Sequence, residues 1–135
     1  MNATAASPVR QFLRNVFRWQ RGRQHSGYDK MLLLQSRWPL PFDVYVLRFR
    51  QGAEIPPHTD PVAEGRHYRC NIVVKAAGEG GTFLCDAPIF ATMRIKVFRP
   101  DACEHSVTRV VRGSRYVLSI GWVRTPLPID RPSSR

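Results

Sequence analysis

The chain has 135 residues, of which 43% are hydrophobic, and three cysteines; that is room for one domain around one core, and no apolar run approaches the roughly 20 residues that cross a bilayer as a helix. Its formal charge is +11, from 21 Lys and Arg against 10 Asp and Glu, and no acid precedes Asp29. Such a balance favours encounter with nucleic acid, anionic lipid or an acidic protein without specifying chemistry, and a solvated basic face is its plainer reading.

Ser7-Pro8 suits a helix start, with serine as cap and proline in the first turn. Val9, Phe12, Leu13, Val16 and Phe17 then recur at helical spacing, with Arg10, Arg14, Arg18 and Arg21 on the other side. The pattern predicts an amphipathic helix to about Gln20. A docked helix, a membrane-surface helix and an organelle presequence all fit it; docking on a sheet is favoured, because the stripe is bulky and a sheet buried on both faces needs a cover. Gly22 to Lys30 reads as a polar connection and Met31 to Leu34 as a short apolar run of undecided type.

From Asp43 the pattern becomes β-branched and aromatic. Strands are predicted near 44–50, 54–58, 68–75, 81–85, 94–98, 104–109 and 116–123, with a weaker one around Ile89. Turn sequences such as Gly78-Glu79-Gly80-Gly81 and Arg112-Gly113-Ser114 separate them. Many short strands at this spacing predict a mainly β sandwich or barrel. Three segments follow: a basic helix over 1–24, a β domain over 25–124, and a Pro-rich tail over 125–135.

His58 and Asp60 stand two apart, so an extended backbone sends both side chains to one side. His105 can supply a third ligand, and two imidazoles with one carboxylate form the facial triad that leaves positions open on Fe(II). Arg115 adds a planar fork suited to a carboxylate. Along the strand that follows, Arg115, Val117, Ser119 and Gly121 share one face while Tyr116, Leu118, Ile120 and Trp122 share the apolar other, where the amino-terminal helix would pack. An inward Arg115 then implies an anion, from the protein or a ligand. By the same alternation Arg69, Asn71, Val73 and Lys75 face together, away from Tyr68, Cys70, Ile72 and Val74.

His58-x-Asp60, His105 and Arg115, with Phe49-x-x-Gly52, Pro57, Arg66, Gly80-Gly81 and Phe98-Arg99-Pro100-Asp101 in order around them, resemble the Fe(II)- and 2-oxoglutarate-dependent oxygenases, most closely their prolyl-hydroxylase-like branch. The likeness spans about residues 45–122. It implies a double-stranded β-helix, or jelly roll, with His58, Asp60 and His105 on Fe(II) and Arg115 on the distal carboxylate of 2-oxoglutarate. It implies a dioxygenase that uses O2 to hydroxylate a protein side chain or small molecule, releasing succinate and CO2. Asn71 is a candidate donor to the cosubstrate, and Arg66 a candidate contact to the unidentified primary substrate. Loops at 61–67, 86–92 and 22–30 are candidates for the mouth.

Phe49 and Val73 stand where many of these enzymes carry tyrosine, leaving Arg69 or Lys75 to compensate. Two alternatives belong to other classes: a cupin-like module binding a metal or small anion without turnover, and a basic nucleic-acid-binding protein on an inactive oxygenase scaffold. Taken one at a time, a His-x-Asp pair or a lone histidine is more often structural; Asp43 and Asp101 read as turn residues, His67 as a solvated loop histidine, and Cys103 as a small apolar filler. Cys70, Cys85 and Cys103 are odd in number, lack the paired spacing of a zinc site and follow no secretory leader, which reads as reduced thiols in a cytosolic protein.

Overall fold

In the computed structural model, which describes residues 13–14, 16–22, 26–37 and 39–125, every named element is a strand. β1 (Trp19–Arg21), β2 (Tyr28–Ser36), β3 (Phe42–Phe49), β12 (Arg115–Arg124), β5 (Arg66–Lys75), β9 (Ile95–Phe98) and β8 (Phe90–Ala91) form a seven-stranded sheet in that spatial order. β4 (Ile55–His58), β10 (His105–Val107) and β7 (Phe83–Cys85) form a three-stranded sheet, and β6 (Glu79–Gly80) pairs with β11 (Val110–Arg112). Neighbouring strands run antiparallel.

Strand alternation positions the core. Arg115, Val117, Ser119 and Gly121 of β12 are buried, while Tyr116, Leu118, Ile120 and Trp122 between them are half-buried on the outer face. Phe49 and Val117 of the large sheet pack with Val107 of β10 and Val110 of β11, and with Ala53. This apolar layer welds the sheets together at one end. The Gly80-Gly81 turn needs its glycines: φ is 74° and 68° there, and a Cβ on Gly80 would collide with the Arg109 carbonyl.

The expected helix over 1–24 falls partly on 1–12, 15 and 23–24, outside the described residues. Leu13 and Arg14 are helical, but the helix does not reach Gln20. Val16 already bridges Leu32, the Phe17 N–H donates to the Leu32 carbonyl at 2.9 Å, and Trp19–Arg21 extend the large sheet. Cross-strand bonds outweigh the weak helical preference of this stretch, and the Arg48 guanidinium lies 4.0 Å from the Trp19 ring centroid. The polar connection expected over 22–30 also ends early, because β2 begins at Tyr28. The undecided apolar run 31–34 is the middle of that strand. The tail expected over 125–135 lies outside the described residues beyond Thr125.

Candidate metal centre

β4 carries two prolines, Pro56 and Pro57, and is an edge strand of the small sheet, where a missing N–H costs no ladder bond. His58 closes it. His105 opens β10 and is the direct cross-strand partner of His58, so both rings leave the sheet on one side with centroids 4.3 Å apart. Each ring is tethered in the same way: Nδ1 of His58 lies 2.8 Å from the Pro56 carbonyl and Nδ1 of His105 lies 2.9 Å from the Cys103 carbonyl. A carbonyl only accepts, so each Nδ1 carries a proton, which leaves Nε2 as the atom of each ring that can act as a metal ligand.

Asp60 follows β4 in a loop pinned by its own N–H, which donates to the Pro100 carbonyl at 2.6 Å. One carboxylate oxygen, Oδ2, then stands 3.6 Å from Nε2 of His58 and 3.4 Å from Nε2 of His105. An ion bound at about 2.1 Å by donors at right angles separates them by roughly 3 Å, so these three atoms fit a small cation with little movement. Phe98 and Phe83 flank His105, with ring centroids 5.1 and 6.2 Å away, and give the cavity an apolar wall beside the donors.

Arg115 lines the same cavity, of about 580 Å³, as the three donors. It is 4% exposed, its guanidinium lies 5.1 Å from the Phe49 ring centroid, and no carboxylate of the described residues pairs with it. Burial pushes its pKa down to about 10, so it is a cation at neutral pH. The space it occupies is bounded by Gly81, where a Cβ would sit 3.4 Å from its Cδ.

Asn71 is buried and lines the cavity; Arg66 is exposed, lies opposite Arg124 at the sheet end and is not part of the cavity wall. Of the expected mouth loops, Pro61, Val62 and His67 from one and Ser26, Tyr28 and Lys30 from another reach the cavity, and none of 86–92 does.

A polar chain runs along the cavity wall that sequence reasoning did not assemble. Asp43 Oδ1 accepts from Nη2 of Arg69 at 2.9 Å, Nη1 of Arg69 donates to Ser119 Oγ at 2.9 Å, and Ser119 Oγ donates to Asn71 Oδ1 at 2.6 Å. Asp43 is thus a wall residue and not merely a turn. Period-two alternation could have found it, since Asp43, Tyr45, Leu47 and Phe49 of β3 all line the cavity. Arg69 fits because Gly121 lacks a Cβ, which would collide with the guanidinium. Lys75, by contrast, is exposed and outside the cavity. His67 is no solvated loop residue either: it lies in β5, lines the cavity, and its buried Nδ1 has no hydrogen-bond partner. Burial, followed by the charge of Arg69, pushes its imidazole below the usual range.

No family model matches the chain, and no curated protein matches it. Among solved structures, it is similar to a prolyl-4-hydroxylase from Pseudomonas putida, at a TM-score of 0.61 and 13% identity over 87% of this chain and 81% of that one. It is also similar to the cupin domain of Schizosaccharomyces pombe Cnp3, at 0.54 and 16% over 83% and 72%. KdgF from a Halomonas species gives 0.53 and 18% over 79% and 86%. At these identities the likeness is one of fold: the chain has a cupin-like jelly roll, mainly β, with a His-Asp-His group able to hold a metal.

Proposed function

We propose that the protein is an Fe(II)- and 2-oxoglutarate-dependent dioxygenase of the hydroxylase type. The observation that carries this is the shared cavity: three donors converge on its wall and a buried cation with no protein counter-ion among the described residues lines the same space. Two imidazoles and a carboxylate are the donor set that suits a non-haem Fe(II) with positions left open. A buried Arg115 that pairs with no carboxylate of the described residues fits a ligand that brings one. The jelly roll shared with a prolyl-4-hydroxylase supports the reading.

His58, Asp60 and His105 would hold the iron, and Arg115 the distal carboxylate of 2-oxoglutarate. Bound iron and cosubstrate supply the oxidising chemistry, which turns 2-oxoglutarate, O2 and a C–H bond into succinate, CO2 and a C–OH bond. The chain contributes order. Cys103 and Pro56 carbonyls aim the imidazoles, Phe83 and Phe98 exclude water beside them, and Ser119 takes up the Asn71 carbonyl oxygen so that the amide NH2 remains as a donor to cosubstrate or substrate. The Arg69–Asp43 pair gives the wall both a donor and an acceptor for a polar substrate. Arg66 is proposed as an outer substrate contact, reached only by a substrate that extends beyond the cavity.

The test is anaerobic addition of Fe(II) and then 2-oxoglutarate, which should raise a visible metal-to-ligand band absent from His58→Ala. Admission of oxygen should then yield succinate. A second reading, a cupin-like module that binds a metal and a small polar ligand without turnover, is favoured by the polar chain from Asp43 to Asn71. It predicts the band without succinate.

A further inference from the structure

We propose that Cys85, Asp86 and Cys103 form a second metal site, suited to a soft divalent ion such as Zn(II) and distinct from the His58–Asp60–His105 centre. Folding makes a cluster that the chain spacing hides. Cys85 ends β7 as the cross-strand partner of His105, and Cys103 lies two residues before His105, so the two thiols arrive on either side of the same histidine. Their sulfur atoms and an Asp86 carboxylate oxygen all lie within 4.8 Å of one another.

The spacing brackets that of a tetrahedral ion, with Cys103 Sγ and Asp86 Oδ1 closer than bound donors stand and the whole set within 4.8 Å. Metal–sulfur bonds of about 2.3 Å and metal–oxygen bonds of about 2.0–2.2 Å place such donors roughly 3.5–3.8 Å apart. Cys103 Sγ now donates to Asp86 Oδ1 at 3.0 Å, so a thiol proton sits between two donors where an ion would sit. Cys103 is buried, Cys85 half-buried and Asp86 exposed, which gives the cluster a protein wall on one side and a route in from solvent on the other. Water can complete the fourth position.

The charges point the same way. In a chain with 21 Lys and Arg, the Asp86 carboxylate is paired with none of them among the described residues, and the partner it does have is a thiol. Two sulfurs with one oxygen prefer a softer ion than two imidazoles with one carboxylate do, so the adjacent sites would sort ions by softness. An ion on Cys103 would also steady the carbonyl that holds the His105 ring.

The experiment uses the metal-free full-length protein and cobalt(II) chloride alone, with no iron, cosubstrate or oxygen, so its failure leaves the proposed oxygenase activity standing. A thiolate-to-cobalt charge-transfer band is expected in the wild type and in His58→Ala, and its loss is expected in Cys85→Ser/Cys103→Ser. Absence of the band from the wild type, its persistence in the cysteine variant, or its loss in His58→Ala overturns the proposal. Should the cysteine variant not fold, iodoacetamide labelling of the wild type decides: Zn(II) should slow modification of Cys85 at least tenfold while leaving Cys70 unchanged, and an unchanged rate at Cys85 overturns it.

Discussion

His58 and His105 face each other across two strands, and each binds the backbone carbonyl two residues before it through Nδ1. The two rings are therefore presented as a matched pair before any ion arrives, and freedom that a flexible site would lose on binding is already lost in folding. His58→Ala or His105→Ala should weaken iron binding by more than the roughly 10–100-fold that loss of an outer-shell partner costs. Calorimetric titration with Fe(II) under nitrogen checks this, and a change under threefold would remove these residues from the site.

Arg115 tests the cosubstrate half of the proposal. Arg115→Ala should leave the iron affinity nearly unchanged and weaken 2-oxoglutarate by about 10–100-fold, the contribution of a charge-assisted hydrogen-bonded pair. Comparable loss of both would make the arginine structural.

The same residue makes a stability prediction with a definite sign. Burial lowers its pKa to about 10, well below the ordinary arginine range, so holding the charge costs the ligand-free fold about 3 kcal/mol as an upper limit. That cost is fully present below pH 10, because the unfolded chain binds the proton more tightly, and it is relieved as pH rises above about 10 toward the ordinary arginine range. Arg115→Met should accordingly melt higher than the ligand-free wild type at pH 7. Added 2-oxoglutarate should raise the melting temperature of the wild type and not of the variant, which differential scanning fluorimetry reads directly.

Asp43 and Gly121 act on one guanidinium, Asp43 by accepting from it and Gly121 by leaving it room. Asp43→Asn and Gly121→Ala should each destabilise by about 1 kcal/mol, and the double variant should cost less than their sum because both spoil the Arg69 contact. Urea unfolding of the four proteins measures the coupling; strict additivity would mean that Arg69 keeps its place when Gly121 gains a methyl group.

Gly80→Ala combines a left-handed φ with a blocked backbone and should cost more than about 1 kcal/mol. Gly52 has φ of 87°, but a Cβ there would meet only open space, so Gly52→Ala should cost less. Paired thermal melts compare them.

Much of the site could be read from the chain because strand periodicity is local. Alternation around Arg115 and Asn71 indicates their inward direction, and the resemblance carried by His58, Asp60 and His105 is matched by donor atoms that converge. What escaped was governed by distant partners. Leu13 to Trp19 has helical spacing, yet Leu32 and Arg48, neither close in sequence, decide that its later part is extended. Asp43 reads as a turn residue because its value depends on Arg69, 26 positions away. The cysteines show no metal-site spacing because their proximity arises from strand pairing, with 17 positions separating Asp86 from Cys103.

Arg115 and the two histidines rest on unequal foundations. Arg115 belongs to a ten-residue strand flanked on both edges by long neighbours, whereas the histidines stand on strands of four and three residues whose ladder slips between His105 and Val107. Warming should therefore loosen the cation clasp before the anion seat, and amide exchange should begin in the small sheet while the large one is still closed. Iron would then serve as a rivet as well as a reagent, and the lifetime of the folded chain would follow its supply.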